Sequence, residues 1–152
     1  MRLYGPAVLR LCVGAVFVAH GAQKLFGAWG GPGLSGTASM LGGLGMPFPY
    51  PLGVLLALSE FGGGILLLLG GLTTWAALAL AIDMAVAIWR VHSPNGFFIS
   101  GGAKGPGMEY ALVLLAALIC LMLTGPGAIS VDEWRNESAE ARALGRARAR
   151  KV

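Results

Sequence analysis

Charged and polar side chains interrupt four apolar stretches of this chain, and they are the residues whose chemistry could matter. His20 and Lys24 are four residues apart, so they share one face of a helix. Glu60 and Asp83 stand in two later apolar stretches. A charge near the centre of a bilayer costs about 2.5–3.5 kcal/mol, so such groups face the interior of a bundle and pair. The sequence therefore predicts one polar, ligand-binding cluster, made of His20, Gln23, Lys24, Glu60, Asp83, Arg90, His92 and Glu109.

The composition predicts the elements that position this cluster. Of the 152 residues, 56% are hydrophobic and only 12% are charged, whereas soluble domains are about 25% charged. The apolar stretches at 6–26, 51–70, 72–92 and 106–124 are each near the ~20 residues that cross a bilayer as a helix. We predict an all-α membrane protein whose residues 1–127 form a four-transmembrane-helix bundle. A cleaved signal peptide over residues 1–22 is a less favoured alternative.

The distribution of Lys and Arg predicts the orientation of the spans. With four spans both termini lie on one side, which carries eight of the 11 basic residues. Because basic residues concentrate on the cytoplasmic side, we expect both termini in the cytoplasm. Arg10 is expected to snorkel towards that inner surface. The eight are Arg2, Arg10, Arg135, Arg142, Arg146, Arg148, Arg150 and Lys151, against Lys24, Arg90 and Lys104 on the outer side.

The two outer loops, 27–50 and 93–107, are long and rich in Gly and Pro. The sequence of the first loop predicts a short interfacial helix. Ser35 or Thr37 would cap its N-terminus, and the helix would end at Leu44. We expect both loops to lie as a lid on the outer leaflet. Five aromatic side chains would anchor it there, namely Trp29, Phe48, Tyr50, Phe97 and Phe98.

The depth of the polar residues places them in the outer half of the bundle. At about 1.5 Å per residue, His20 lies about 9 Å below the outer end of its span, and Glu60 and Asp83 about 13 Å. Either carboxylate could balance Lys24, so the sequence leaves open which one does. It also leaves open a purely structural interpretation, in which the pair only holds the bundle together.

Other reactive groups give weaker signals. Cys12 and Cys120 are expected to be buried and inert, because a dithiol relay would normally show a C-x-x-C motif. A metal ion between His20, Glu60 and Glu109 is geometrically conceivable, but no span holds a second close His, so we predict no metal site. The sequence contains no P-loop, nucleophile elbow or dinucleotide-binding motif.

Residues 128–152 form a second region, a basic cytoplasmic tail that we predict to be partly helical. Ser130 and Glu133 have the spacing of a capping box. Arg142, Arg146 and Arg150 recur at helical spacing, which favours contact with an anionic inner leaflet. A solvated tail beyond residue 140 stays an alternative, and nucleic-acid binding has little support.

The chain resembles the DoxX family over residues 7–133. Six segments in the family's order carry the resemblance: RLxVGAVFVAHGAQKLFG at 10–27, LGMP at 44–47, SEFGGGILLLLGGLTT at 59–74, HSPNGFF at 92–98, MEYAL at 108–112 and GPGAISVD at 125–132. The family-like positions are His20, Gly21, Gln23, Lys24, Glu60, Gly63, His92, Asn95, Gly96 and Glu109.

The resemblance implies a small four-span protein of the bacterial inner membrane. Some members of the family are subunits of thiosulfate:quinone oxidoreductase or partners of thiol and oxidative-stress enzymes. The resemblance thus implies a membrane redox role, for which a membrane-associated redox enzyme is a candidate partner. A quinone or a small sulfur compound is the candidate ligand, and His20 and Glu60 are the candidates for catalytic residues, whose identity stays open. The resemblance leaves open whether the chain turns over a substrate and whether it forms an oligomer.

Three hypotheses follow. In the first, His20, Gln23 and Lys24 donate hydrogen bonds to a quinone and Glu60 carries a proton, or Lys24, Arg90 and Lys104 hold an anion such as thiosulfate. In the second, the chain is a non-enzymatic scaffold or assembly factor. The third, a small transporter, has less support, because the four spans show no internal repeat.

Overall fold

The computed structural model describes residues 4–99 and 105–149, and all of the regular secondary structure there is helical. Helices α1, α3, α4 and α5 form a bundle, α2 lies between α1 and α3 in the chain, and α6 follows the bundle. This confirms the predicted all-α fold. The bounds are α1 Tyr4–Phe26, α2 Gly33–Gly43, α3 Pro49–Leu69, α4 Thr73–Ala87, α5 Glu109–Thr124 and α6 Val131–Ala149.

Three of the bundle helices are long and apolar enough to cross a membrane. They are α1, α3 and the continuous helical segment Thr73–Asn95, in which α4 widens into a π-helical turn, Ile88–His92, and ends in a 3₁₀ turn. Helix α5 is also apolar but has only 16 residues. The arrangement is consistent with the predicted four-helix membrane bundle.

The fourth helix starts later than the predicted residue 106 because the preceding backbone pairs with another segment. The N–H of Gly107 donates to Phe98 O at 3.2 Å, and the N–H of Glu109 donates to Phe97 O at 2.9 Å. A Cβ atom at Gly107 would clash with the backbone of residues 96–98. This close pairing holds the loop after α4 against the start of α5.

Small residues let α1 and α3 approach each other closely. A Cβ atom at Gly21 would overlap the backbone of Phe61, and one at Gly64 would lie 2.7 Å from the N atom of Val18. Glycine at both positions allows backbone contact between membrane helices. The core of the bundle lies beside this seam and includes Phe17, Leu67, Leu80, Leu118 and Leu121.

Helix α2 packs on α3 with Thr37, Ala38 and Leu41 buried. The predicted cap was wrong, because α2 begins at Gly33 and the Thr37 hydroxyl instead donates to Gly33 O at 2.8 Å. The predicted end is confirmed. Gly45 has a φ of 70°, and the N–H of Met46 returns to Leu41 O at 3.1 Å, as in a Schellman termination.

Arg10 does not snorkel to the surface as expected, since it is only 2% exposed. Its guanidinium donates to the carbonyl oxygens of Leu67 and Leu68 at 2.7 Å, to Pro126 O at 3.0 Å and to Ile129 O at 3.1 Å. The last carbonyls of α3 lack the regular hydrogen-bond partners of a helix interior. Leu67 O also accepts the N–H of Gly70 at 3.1 Å, and the guanidinium of Arg10 supplies the further donors at this helix end. Arg10 therefore joins α1, the end of α3 and the segment after α5.

Helix α6 is attached to the same end of the bundle, which we call the turn end because it holds the α3–α4 turn, residues 70–72, and the segment 125–130. Asp132 accepts hydrogen bonds from the N–H groups of Leu72 at 2.9 Å and Thr73 at 2.8 Å. The Ser130 hydroxyl accepts the Glu133 N–H at 3.1 Å, as the capping box predicts.

Two further expectations can be compared with the described residues. Cys12 and Cys120 are exposed on the surface of the bundle, so the prediction that they are buried was wrong. Their helix faces point away from the core towards the region that lipid would occupy. Arg2, Lys104, Arg150 and Lys151, which the sequence analysis used, lie outside the described residues.

Candidate functional site

Lys24 and Glu60 form an ion pair between α1 and α3. The side chain of Glu60 is 4% exposed and that of Lys24 is 19% exposed. The sequence allowed either Glu60 or Asp83 to balance Lys24, and the structure selects Glu60. Because an ammonium group carries three N–H donors, Lys24 still has donors to offer after binding Glu60.

Asp83 lies on α4, close enough to Ser59, Glu60 and Lys24 for their charges and dipoles to act on it. Its Oδ2 atom is buried and has no hydrogen-bond partner among the described residues. A buried polar atom without a partner costs free energy. Asp83 thus presents an acceptor that a bound molecule with a donor would satisfy.

A cavity of about 540 Å³ surrounds these groups. That volume lies in the range of small-molecule sites, about 300–1,000 Å³. Most of the wall is apolar, and helices α1–α5 and the loop after α4 all contribute to it. Six of the eight predicted binding residues line the cavity: His20, Lys24, Glu60, Asp83, Arg90 and His92.

Arg90 and His92 lie in the π-helical turn at the end of α4. Arg90 Nη2 donates to Leu44 O, directly after α2, at 2.7 Å, and its guanidinium lies 5.3 Å from the centre of the Trp89 ring. His92 Nδ1 donates to Pro106 O at 3.0 Å. These bonds fasten α2 and the second loop over the cavity, so Arg90 and His92 hold the lid while lining the space beneath it. π-Helical turns often occur at functional sites.

Gln23 and Glu109, the two other predicted binding residues, do not line the cavity. Gly31 packs against the backbone and Cβ of Gln23. The Glu109 carboxylate accepts the backbone N–H of Ile99 at 2.7 Å, which ties the second loop to α5. Both residues therefore lie beside the site and support the loops that cover it.

The loops were predicted to form a lid, but the apolar residues of the first loop were not predicted to line the site. Met40, Leu41, Leu44 and Met46 of the first loop all line the cavity. The amphipathic pattern of the predicted loop helix was the available signal, since its apolar side must be buried somewhere. His20 also lines the cavity but is otherwise exposed on α1.

Taken together, the site offers donors, one ion pair and one free acceptor in an apolar enclosure. Lys24 and His20 can donate to a carbonyl oxygen, and Asp83 can accept from a hydroxyl group. Within residues 4–99 and 105–149, no three His, Cys, Asp or Glu side chains are close enough to hold a metal ion. The arrangement offers hydrogen-bond donors and an acceptor to a small molecule that carries oxygen atoms.

The sequence model of the DoxX family matches residues 5–93 of the chain. That range includes α1, α2, α3 and nearly all of the helical segment that continues α4. It also includes all six of the predicted binding residues that line the cavity.

Several proteins of known sequence are similar over most of their length. The "Uncharacterized membrane protein Rv3486" of Mycobacterium tuberculosis is 37% identical over 90% of this chain and 85% of its own. "Inner membrane protein YqjF" of Escherichia coli is 31% identical over 88% and 93%. "Putative oxidoreductase CatD" of Bacillus subtilis is 29% identical over 84% of each chain. No solved structure matches the chain.

Proposed function

The chain belongs to the DoxX family, and on that premise we propose that it is a component of a redox system of the bacterial inner membrane that binds a quinone-like ligand in its cavity. Both termini then lie in the cytoplasm and the cavity in the outer half of the bilayer, as the distribution of basic residues favours. The similarity to proteins named as an inner-membrane protein and as an oxidoreductase supports this setting.

The unpartnered Oδ2 atom of Asp83 is the observation that carries the proposal. A quinone has only acceptor oxygens, whereas the quinol has two hydroxyl donors. Lys24 and His20 bind the oxygens of the oxidised form, and Asp83 accepts a hydroxyl of the reduced form. Glu60 is already paired with Lys24, so Asp83 is the carboxylate that is open to exchange a proton with the ligand.

Reduction of a quinone to a quinol takes up two electrons and two protons. The described residues include no metal cluster, and the sequence shows no dinucleotide-binding motif. We therefore assign the electron transfer to a partner redox enzyme or a reduced sulfur compound. The residues of this chain hold the ring, exclude water beneath the lid and supply or accept protons at Asp83.

Calorimetric titration of the purified protein in detergent with decylubiquinone and decylubiquinol tests this assignment. Asp83→Leu removes the acceptor, so we expect it to weaken quinol binding about tenfold, the usual effect of losing one hydrogen bond to a charged group. Quinone binding should change much less. Lys24→Met should weaken binding of both forms.

Thr124→Val, at the turn end, serves as the control and should leave both affinities unchanged. Absence of binding to the unmodified protein would refute the proposal. Equal loss of quinone and quinol binding in Asp83→Leu would refute the role of Asp83.

A scaffold that holds a partner at the membrane is the second candidate function. The Lys24–Glu60 pair favours it, because a buried ion pair between α1 and α3 can serve only to fix two helices. In that case neither form of the ligand binds, and His20→Ala leaves the function of the partner unchanged.

A further inference from the structure

We infer that the cavity opens sideways into the bilayer between α3 and α4, and that its ligand is an amphiphile whose apolar tail lies in this opening. The inference rests on the proposed function and extends it from a ring-binding site to a lipid-borne ligand. It also predicts that the ligand enters from the membrane rather than through the lid.

The first observation is that Leu55 on α3 and Val86 on α4 belong both to the cavity wall and to the outer surface of the bundle, as Met40 and Ile99 of the two loops also do. Leu55 on α3 is 64% exposed and Val86 on α4 is 39% exposed, and both line the cavity. A residue that faces both spaces marks a place where they join. Exposed apolar surface between two membrane helices suits an acyl or isoprenoid chain.

The packing of α3 against α4 explains why the opening lies at this level. The two helices are joined by the short turn at Gly70 and run antiparallel. The side chain of Leu80 packs on Gly63, where a Cβ atom would lie only 3.1 Å from Leu80 Cγ. In that register Glu60 lies opposite Asp83 and Leu56 lies opposite Ala87. Helices α3 and α4 are therefore in contact between the turn at Gly70 and the carboxylates of Glu60 and Asp83. On the other side of these carboxylates the two helices line the cavity.

The lid restricts access from the other direction. Arg90 bonds to Leu44 O above the cavity, and the segment 105–109 pairs with residues 96–98 beside it. The polar exposed members of the wall, His20 and Tyr110, lie on α1 and α5. The exposed apolar wall residues Met40 and Ile99 belong to the loops, whereas Leu55 and Val86 lie on membrane helices, so a tail that leaves the cavity into the bilayer passes between α3 and α4 while the head stays among Lys24, His20 and Asp83.

Photocrosslinking in native membranes tests this inference. Leu55 is replaced with p-benzoylphenylalanine, and the matched control carries the same probe at Leu58, which is 53% exposed and does not line the cavity. After irradiation, mass spectrometry identifies the lipids attached to each protein. The probe at Leu55 should capture one class of lipid that is enriched several-fold over the bulk phospholipids found at Leu58.

The second readout is whether the lipid adduct at Leu55 depends on binding of the ligand's head group at Lys24. If the tail captured at Leu55 belongs to a molecule whose head is bound at Lys24, then Lys24→Met should reduce that adduct several-fold and leave the Leu58 adducts unchanged. Identical bulk phospholipids at both positions, or an adduct that is insensitive to Lys24→Met, would overturn the lateral opening. An enriched lipid that is not a quinone would support the opening and refute the quinone-like ligand.

Discussion

At the scale of single residues, the polar groups of the bundle divide into those that have partners and those that do not. Lys24 and Glu60 satisfy each other across α1 and α3. Arg10 satisfies four carbonyl oxygens at the turn end. Among the described residues, Thr73 Oγ1 and Asp83 Oδ2 are buried without a hydrogen-bond partner. Of the two residues, Asp83 lines the cavity, which makes it the candidate for chemistry rather than for stability.

Sequence reasoning reached the ion pair but not Arg10. Opposite charges at similar depth in neighbouring apolar helices must pair, so Lys24 with Glu60 was among the predicted alternatives. An Arg near a helix end is ordinarily expected to reach for water. Arg10 is buried because its guanidinium contacts both the carbonyls at the end of α3 and the segment 125–130. These segments are far apart in the chain, and no local sequence pattern specifies that contact.

The ion pair gives the first prediction for stability. Lys24→Met leaves a buried carboxylate without its partner, so we expect a loss of about 3–5 kcal/mol in the free energy of unfolding. The double change of Lys24→Met with Glu60→Gln should restore part of that loss. Unfolding in detergent by sodium dodecyl sulfate measures both, and strict additivity of the two single changes would show that the residues do not interact.

At the scale of helices, the approach of α1 to α3 depends on glycine where two backbones meet. Pro and Gly mark the ends of the predicted spans, as Pro51 and Gly70 do for the span at 51–70. In the structure α3 begins two residues earlier, at Pro49, and Gly70 follows its last residue. The sequence could not predict which glycines lie at the contact. Gly21 and Gly62 look alike in sequence, yet only Gly21 faces a neighbouring backbone.

This pair of glycines gives a matched test. Gly21→Ala should destabilise the protein by several kcal/mol, because a Cβ atom there overlaps the Phe61 backbone and forces α1 and α3 apart. Gly62→Ala meets open space and should be neutral or stabilising by up to about 1 kcal/mol, the difference in helix propensity. Thermal unfolding in the same detergent compares them, and equal effects would contradict the packing.

Asp132 links α6 to α4 and makes that link depend on pH. Burial raises the pKa of its carboxyl, but the hydrogen bonds from Thr73 and Leu72 lower it more, so the pKa lies below its ordinary value. The stabilisation is therefore complete above about pH 3.9, the ordinary pKa of Asp. It is lost as the pH falls through the lower pKa of the folded state.

Asp132→Ala should consequently cost about 0.5–2 kcal/mol at neutral pH, as for a lost helix cap. The difference from the unmodified protein should shrink as the pH is lowered below about 3.9. Stability measured against pH in detergent checks this, with Glu140→Gln, an exposed carboxylate of the same helix, as the control. A difference that stays constant down to the most acidic pH would contradict the role of Asp132.

At the scale of the whole molecule, the two ends of the bundle differ in kind. The turn end is tied closed by Arg10, Asp132 and the α3–α4 turn. The opposite end is built from long loops that cover the cavity around Lys24, Glu60 and Asp83. A rigid end of this type holds the helices in register while the loop end binds a molecule, which is the division expected for a small membrane protein with one site.

The cavity itself could be predicted only in part. Six of the eight residues predicted from depth and charge line the cavity, as is expected of polar groups at one level of a bundle. Gln23 and Glu109 were also predicted to bind a ligand. In the structure Gln23 packs against Gly31 of the first loop, and Glu109 accepts a hydrogen bond from Ile99 of the second loop. The apolar lid and the opening beside Leu55 arise from tertiary packing, which helical periodicity does not specify.

The most direct test of the central claim is the identification of what the cavity holds. The protein is purified from its native membrane in a mild detergent, and its bound lipids are extracted and quantified by mass spectrometry. The account predicts a quinone at close to one molecule per chain, strongly reduced in Lys24→Met and unchanged in Thr124→Val. Detection of only bulk phospholipids, equal in all three proteins, would contradict it.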